Sequence, residues 1–319
     1  MIDKRILLLC MGLLLTLPLL AQYNFTTEQE LACTSVKNQQ RTGTCWSFTT
    51  ISFLESELLR LEKEAYDLSE MYMVRTIYKD KARNYMLRQG KANFSQGSLS
   101  HDVMRALKMG GAVPESVYSG MTPGDQYHDH SEMEAALKGM LDGIRQQKRL
   151  STKWEGAFEA VLDHYMGEAP EEFTWEGETH TPASFAESLP IDTDDYVTLT
   201  SFSHHPFYET FVLEIPDNYS NGSYFNVPLD ELQAITDYAL SNGYTVAWDG
   251  DVGEKGFSAR AGLAIMPVDE NNDEMFEQPV KEIDVTQENR QRAFESYATT
   301  DDHLMHLTGI AKDQNGKTY

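Results

Sequence analysis

Apolar residues at Phe48, Ile51, Leu54, Leu58 and Leu61 recur every three or four positions, which predicts an amphipathic helix starting close to Cys45. Further stripes of the same period predict helices around Met73, Ile77 and Tyr78, with Ser69 as N-cap, and around Val103, Met104, Leu107 and Met109, closed by Gly110-Gly111. Met133, Ala136, Leu137, Met140, Leu141 and Ile144 form a long stripe, and Phe158, Val161, Leu162 and Tyr165 another. Methionines at that spacing read as core. Leu232, Ile235, Ala239 and Leu240 predict a later helix, Thr245 to Trp248 a short buried strand, and the alternation from His303 towards Gly309 a second strand. Ser220–Ser223 and Asp269–Glu274 read as surface loops, and Asn315-Gly316 as a tight hairpin turn. Helices and strands in this mixture predict an α+β chain.

Residues 1–21, MIDKRILLLCMGLLLTLPLLA, read differently. Lys4 and Arg5 precede an apolar run broken by Pro18 and ending at Ala21, the pattern of a secretory signal peptide. Export, periplasmic or secreted, is therefore expected, with a mature start near Gln22 and Cys10 discarded. No second apolar run is long enough to span a bilayer, so membrane insertion is not expected. The net charge of −24 repels phosphate backbones and anionic lipid, which disfavours nucleic-acid partners.

Cys45 stands where the loop Arg41-Thr42-Gly43-Thr44 gives way to the first helix. A thiol in a first helical turn feels the positive end of the backbone dipole, so a lowered pKa and a nucleophilic thiolate are expected. Gln39, six residues upstream, carries an amide able to donate to an oxyanion forming beside Cys45. Two plainer readings stay open: Cys45 as a small buried hydrophobe, and a disulfide between Cys45 and Cys33. His128-Asp129-His130 lacks further ligands at suitable spacing, so no metal is expected there. Asp249 and Asp251 read as turn residues.

Gln39, Gly43, Cys45, Trp46 and Phe48 together resemble the nucleophile segment of papain-like cysteine peptidases. Leu68-Ser69-Glu70 resembles the stretch that follows it there. The resemblance implies a two-lobe α+β fold, a helical lobe carrying the cysteine and a β-barrel-like lobe carrying a histidine. Residues 167–176, Thr181 to Phe185, Asn226 to Leu232 and Val246 to Gly253 resemble the bleomycin hydrolase and aminopeptidase C branch, with insertions between the lobes. Gln96-Gly97 resembles the glycine pair that aligns substrate, with Gln96 in place of the first glycine. His303, and not His306, matches the family's histidine strand.

What the resemblance implies is thiol-dependent peptide-bond hydrolysis, an aminopeptidase in preference to an endopeptidase. Cys45 is the expected nucleophile, His303 the base, Gln39 the oxyanion donor, and Gly97 and Trp46 the expected substrate-binding residues. Peptides are the expected partners, no cofactor is needed, and the branch implies a homo-oligomer, a hexamer. An endopeptidase and a catalytically silent secreted binding protein of the same fold remain alternatives. The family's orienting asparagine and C-terminal arm are expected beyond Tyr319, which implies a sequence cut short.

Overall fold

The three- and four-residue stripes become helices: α1 (Cys45–Glu62), α2 (Glu70–Leu87), α3 (Ser100–Gly110), α4 (Ser131–Arg145), α5 (Lys153–Met166), α6 (Pro182–Ser188), α7 (Leu229–Ser241) and α8 (Gln287–Glu295). This computed structural model describes residues 23–62 and 64–319, so the expected signal peptide at 1–21 lies outside the described residues. The strands are short: β1 (Thr26–Glu30), β2 (Phe173–Trp175), β3 (Glu178–His180), β4 (Leu199–Thr200), β5 (Thr210–Val212), β6 (Ser223–Asn226), β7 (Val246–Gly250), β8 (Phe257–Ser258), β9 (Leu263–Ala264), β10 (His303–Leu307) and β11 (Gly309–Lys312). None of the helices among the described residues is long and apolar enough to cross a membrane.

The described residues form two compact units. The larger comprises residues 29–251 and 286–310. Its core is the inner face of α1 to α5, where Ile51, Leu54, Leu58, Met73, Ile77, Val103, Leu137 and Leu162 are buried. Each such side chain contributes about 1.5–3 kcal/mol by leaving water. Caps fix where the helices start and stop. The Ser69 hydroxyl accepts the Tyr72 N–H at 3.1 Å, as the sequence predicts. Gly111 ends α3 at φ +77°, and a Cβ there would lie 2.2 Å from the Pro182 carbonyl oxygen, so only glycine fits.

Two carboxylates interrupt the apolar face. Glu55 and Glu70 are buried, and Lys37 reaches both, at 3.6 and 2.8 Å, while Glu55 also accepts the Leu68 N–H at 2.8 Å. Burial still pushes Glu70 up to about 7, against the lowering effect of Lys37.

Within the larger unit β6 lies between β4, parallel to it, and β5, antiparallel. β7 and β10 form an antiparallel pair in which His303 faces Gly250, Leu304 faces Asp249 and Met305 faces Trp248. β7 is not the buried strand expected. Val246 and Ala247 are half-buried, and Trp248 and Asp249 are exposed.

The smaller unit comprises residues 23–28, 252–285 and 311–319. Its chain reverses at Asn315-Gly316, with Gly316 at φ +82°, as the sequence predicts. The Ala311 and Tyr319 amides and carbonyls pair across the turn at 2.9 and 2.8 Å, and the Asp313 carboxylate accepts the Asn315 and Lys317 N–H groups. Tyr319 packs edge-on against Phe25, with ring centroids 5.0 Å apart.

Candidate active site

The loop before α1 is braced by its own side chains. The Gln39 amide donates to the Thr42 carbonyl at 2.6 Å, and the Thr42 hydroxyl donates to the Gln39 carbonyl at 2.8 Å. The Gly43 N–H donates to Gln96 Oε1 at 2.8 Å, and Gln96 Nε2 donates to Glu134 at 2.9 Å. The glutamine that stands in place of a family glycine thus ties down the loop that carries the thiol. Gln39 Nε2 bears two hydrogens, one of which this bracing leaves for an oxyanion.

Cys45 opens α1, buried and free, and Cys33 is free and exposed, so the disulfide reading fails. The backbone N–H groups of Leu304 and Trp46 point to the Cys45 sulfur. Thr49, one turn on, donates to the Leu304 carbonyl at 2.7 Å, and Ser52 Oγ lies 2.9 Å from His306 Nδ1. Cys45, Thr49 and Ser52 form one face of the helix. Leu304 turns both its backbone polar groups to that face, because in an antiparallel pair they alternate between the partner strand and the opposite side. The amide that meets the sulfur is the one joining His303 to Leu304. This brings half-buried His303 to the Cys45 end of the helix.

His306, three positions on, has another role. Burial lowers its pKa to about 4, so the ring is neutral, and Phe53 packs edge-on against it at 6.2 Å. Of the two strand histidines, it is the structural one.

The expected low thiol pKa is overturned. Burial raises the Cys45 pKa first, and the carboxylates of Asp249 and Asp217 raise it further, against the two N–H groups that favour the thiolate. Desolvation and negative charge outweigh the helix terminus.

Trp46 is also not where the resemblance put it. At 1% exposure it cannot line a groove, and its indole N–H donates to the Gln96 carbonyl at 3.0 Å. It positions the strip carrying Gly97. Lys81, buried, donates to the carbonyls of Ser95, at 3.1 Å, and Gly97. Burial lowers Lys81 to about 8, with Asp217 and Asp102 opposing the shift.

Two aspartates that act on the thiol, Asp217 and Asp249, were not foreseen in that role. Asp217 lies against Gly97, within hydrogen-bond reach of Asn93 Nδ2 at 3.1 Å. Asp249 sits in β7 rather than in a turn, and its carboxyl shares a hydrogen bond with Asp301. The surrounding protein, and then Asp301, raise Asp249, although water reaches its side chain and tempers the effect. The sequence offered no signal for this, since the predicted strand stops at Trp248 and strands disfavour aspartate. Asp251 accepts from the Thr300 N–H at 2.8 Å.

His204, His205 and Glu214 form a second group of titratable side chains. His204 and His205 reach Glu214 at 3.2 and 2.7 Å. Gln291 Oε1 accepts the Ser203 N–H at 2.6 Å, so its Nε2 donates to His204 Nδ1 and leaves the His204 proton on Nε2, facing Glu214. That proton occupies the position a metal would need. His128 and His130 lie with ring centroids 6.3 Å apart and form no ligand group with a third residue among those described.

Residues 134–319 match the Peptidase C1-like family. The chain belongs to this family. Residues 21–170 match, in addition, the papain family of cysteine proteases. Aminopeptidase G of Lactobacillus delbrueckii subsp. lactis is 25% identical over 70% of this chain and 60% of its own length. A viral cathepsin of Bombyx mori nuclear polyhedrosis virus is 37% identical over 27% of this chain and 23% of its own. The crystal structure of PepW from Lactobacillus rhamnosis HN001 superposes with a TM-score of 0.73 at 17% identity, covering 92% of this chain and 74% of that one. The chain thus spans about 60% of the length of the aminopeptidase it matches. These likenesses agree with the papain-like α+β fold and with the bleomycin hydrolase and aminopeptidase C branch of this family.

Proposed function

We propose that this chain is a thiol-dependent peptidase that removes residues from peptide N-termini. The observation that carries the reading is the 2.7 Å hydrogen bond from Thr49, one turn after Cys45, to the Leu304 carbonyl, which seats the strand of His303 on the helix of Cys45, in a chain of the Peptidase C1-like family. Similarity to aminopeptidase G supports the exopeptidase form. The N-terminal apolar stretch supports export, and the branch resemblance supports a homo-oligomer.

In this reading the Cys45 sulfur attacks the peptide carbonyl while His303 takes the thiol proton, because a buried thiol beside carboxylates does not ionise in advance. The C–S bond forms, and His303 passes its proton to the departing amine as the C–N bond breaks. Water then cleaves the thioester, with His303 as base. The second hydrogen of Gln39 Nε2 and the Cys45 N–H meet the negative oxygen of each tetrahedral intermediate.

The test compares the native chain with Cys45→Ala and His303→Ala on leucyl-4-nitroanilide and on an N-acetylated peptide. We expect free-amine turnover to fall by about a thousandfold or more in either variant. Activity retained in Cys45→Ala would overturn the reading, and preference for the acetylated peptide would make the enzyme an endopeptidase.

A further inference from the structure

The strip from Ser95 to Gly97 runs beside the thiol. It is held by the residue next to Cys45, through the Trp46 indole on the Gln96 carbonyl, and from beneath by Lys81. Its outer side is not open. A Cβ built on Gly97 would lie 1.8 Å from Asp217 Oδ2 and 2.6 Å from Cγ, so the carboxylate rests directly on Gly97.

Asp217 is anchored rather than draped. Asn93 Nδ2 donates to Asp217 Oδ1 at 3.1 Å, to the Pro216 carbonyl at 3.0 Å and to Ser95 Oγ at 3.0 Å, which ties the Asp217 loop to the same strip. Burial raises the Asp217 pKa, while buried Lys81 and the Asn93 hydrogen bond oppose the rise. Gln96, the residue before Gly97, is hydrogen-bonded to Gly43 and to Trp46 on either side of Cys45, so Asp217 and the thiol share one neighbourhood.

A carboxylate there has two effects on an extended peptide whose scissile carbonyl meets Cys45. A residue upstream of the cleaved one must cross Gly97 and collides with Asp217. A free α-ammonium, one residue from the scissile bond, instead meets a fixed carboxyl group whose ionised form it favours. We propose that Asp217 is the specificity-determining residue that receives the substrate's N-terminal ammonium and closes the groove one residue from the thiol. This rests on the reading of Cys45 as the nucleophile, and assigns the exopeptidase preference to a side chain within this chain.

The experiment uses the full chain and three reporters: leucyl-4-nitroanilide, its N-acetyl derivative and an N-acetyl-dipeptidyl-4-nitroanilide. Asp217→Asn should lower kcat/KM on the free-amine reporter by ~10-fold, mainly through KM, with little change on the acetylated one. Asp217→Ala should do the same and also raise cleavage of the dipeptidyl reporter. Unchanged free-amine kinetics, or equal losses on the free and acetylated reporters, would overturn the proposal. Binding provides a readout without turnover. Cys45→Ala should bind leucinamide more tightly than N-acetyl-leucinamide, and the double variant Cys45→Ala with Asp217→Asn should lose that difference. Absence of a difference in the Cys45→Ala chain would sink the Asp217 assignment even if no reporter is cleaved, whereas failure of Cys45-dependent cleavage with the difference intact would sink only the peptidase reading.

Discussion

The Asp249 carboxyl hydrogen-bonds to the Asp301 carboxylate, and Asp249 faces Leu304, the residue whose amide meets the Cys45 sulfur. Both acids are raised above their ordinary value of 3.8, each first by the surrounding protein and then by a neighbouring carboxylate. The folded pair therefore keeps a proton that the unfolded chain releases.

Linkage sets the sign of the pH effect. The pair's contribution to stability is complete below the ordinary carboxylate range and is lost as pH rises through the raised values. Urea midpoints of the native chain should therefore fall relative to those of Asp249→Asn between about pH 5 and about pH 8. A gap between the two proteins that stays constant with pH would rule out proton sharing.

Thiol reactivity should show the same field. With Cys33→Ser leaving Cys45 as the single thiol among the described residues, Cys45 should alkylate slowly at about pH 6 and accelerate only at pH values above those of an ordinary thiol. A rate already on its plateau at about pH 6 would mean that a thiolate–imidazolium pair overrides burial. Cys33 itself is exposed, and the serine variant should keep peptidase activity within a few-fold of native.

Trp46→Phe keeps the buried ring and removes only the N–H that donates to Gln96. The stranded carbonyl should cost about 1–3 kcal/mol of stability. Because the Gln96-Gly97 strip loosens, KM should rise more than kcat falls. A loss confined to kcat would show that the indole acts on the thiol and not on the strip.

Gly97→Ala places a methyl where Asp217 lies, and the collision should impair both stability and turnover. Adding Asp217→Ala should recover part of the stability. In a double-mutant cycle the two changes should be strongly non-additive, and simple additivity would show that the contact does not exist in solution.

Much of the scaffold was legible in the sequence, because it depends on neighbours in the chain. The α1 stripe, the Ser69 cap, the Gly111 stop and the Asn315-Gly316 turn are local patterns, and each forms where it was expected. Two helices were missed although their caps were present: Thr181 with Pro182 and Ser184 at α6, and Thr286 with Asn289 at α8. The Cys45 environment was read with the wrong sign for a different reason. A helix terminus is visible in sequence, but burial and the charges of Asp217 and Asp249 are tertiary. Asp217 reaches its Asn93 anchor across 124 positions, and no spacing rule connects them. Trp46 was misplaced because a motif identifies a residue without showing which way its side chain points.

Thr49 and Leu304, joined by one hydrogen bond, are 255 positions apart. Closing so long a loop is entropically costly and belongs to the slow part of folding, whereas α1 can form from its own contacts. A ribosome adding roughly 5–20 residues per second needs on the order of ten to fifty seconds to travel from Cys45 to His303. For that interval the thiol exists without the strand that faces it. Separation along the chain thus sets an order of events, in which α1 exists before β10 can dock on it.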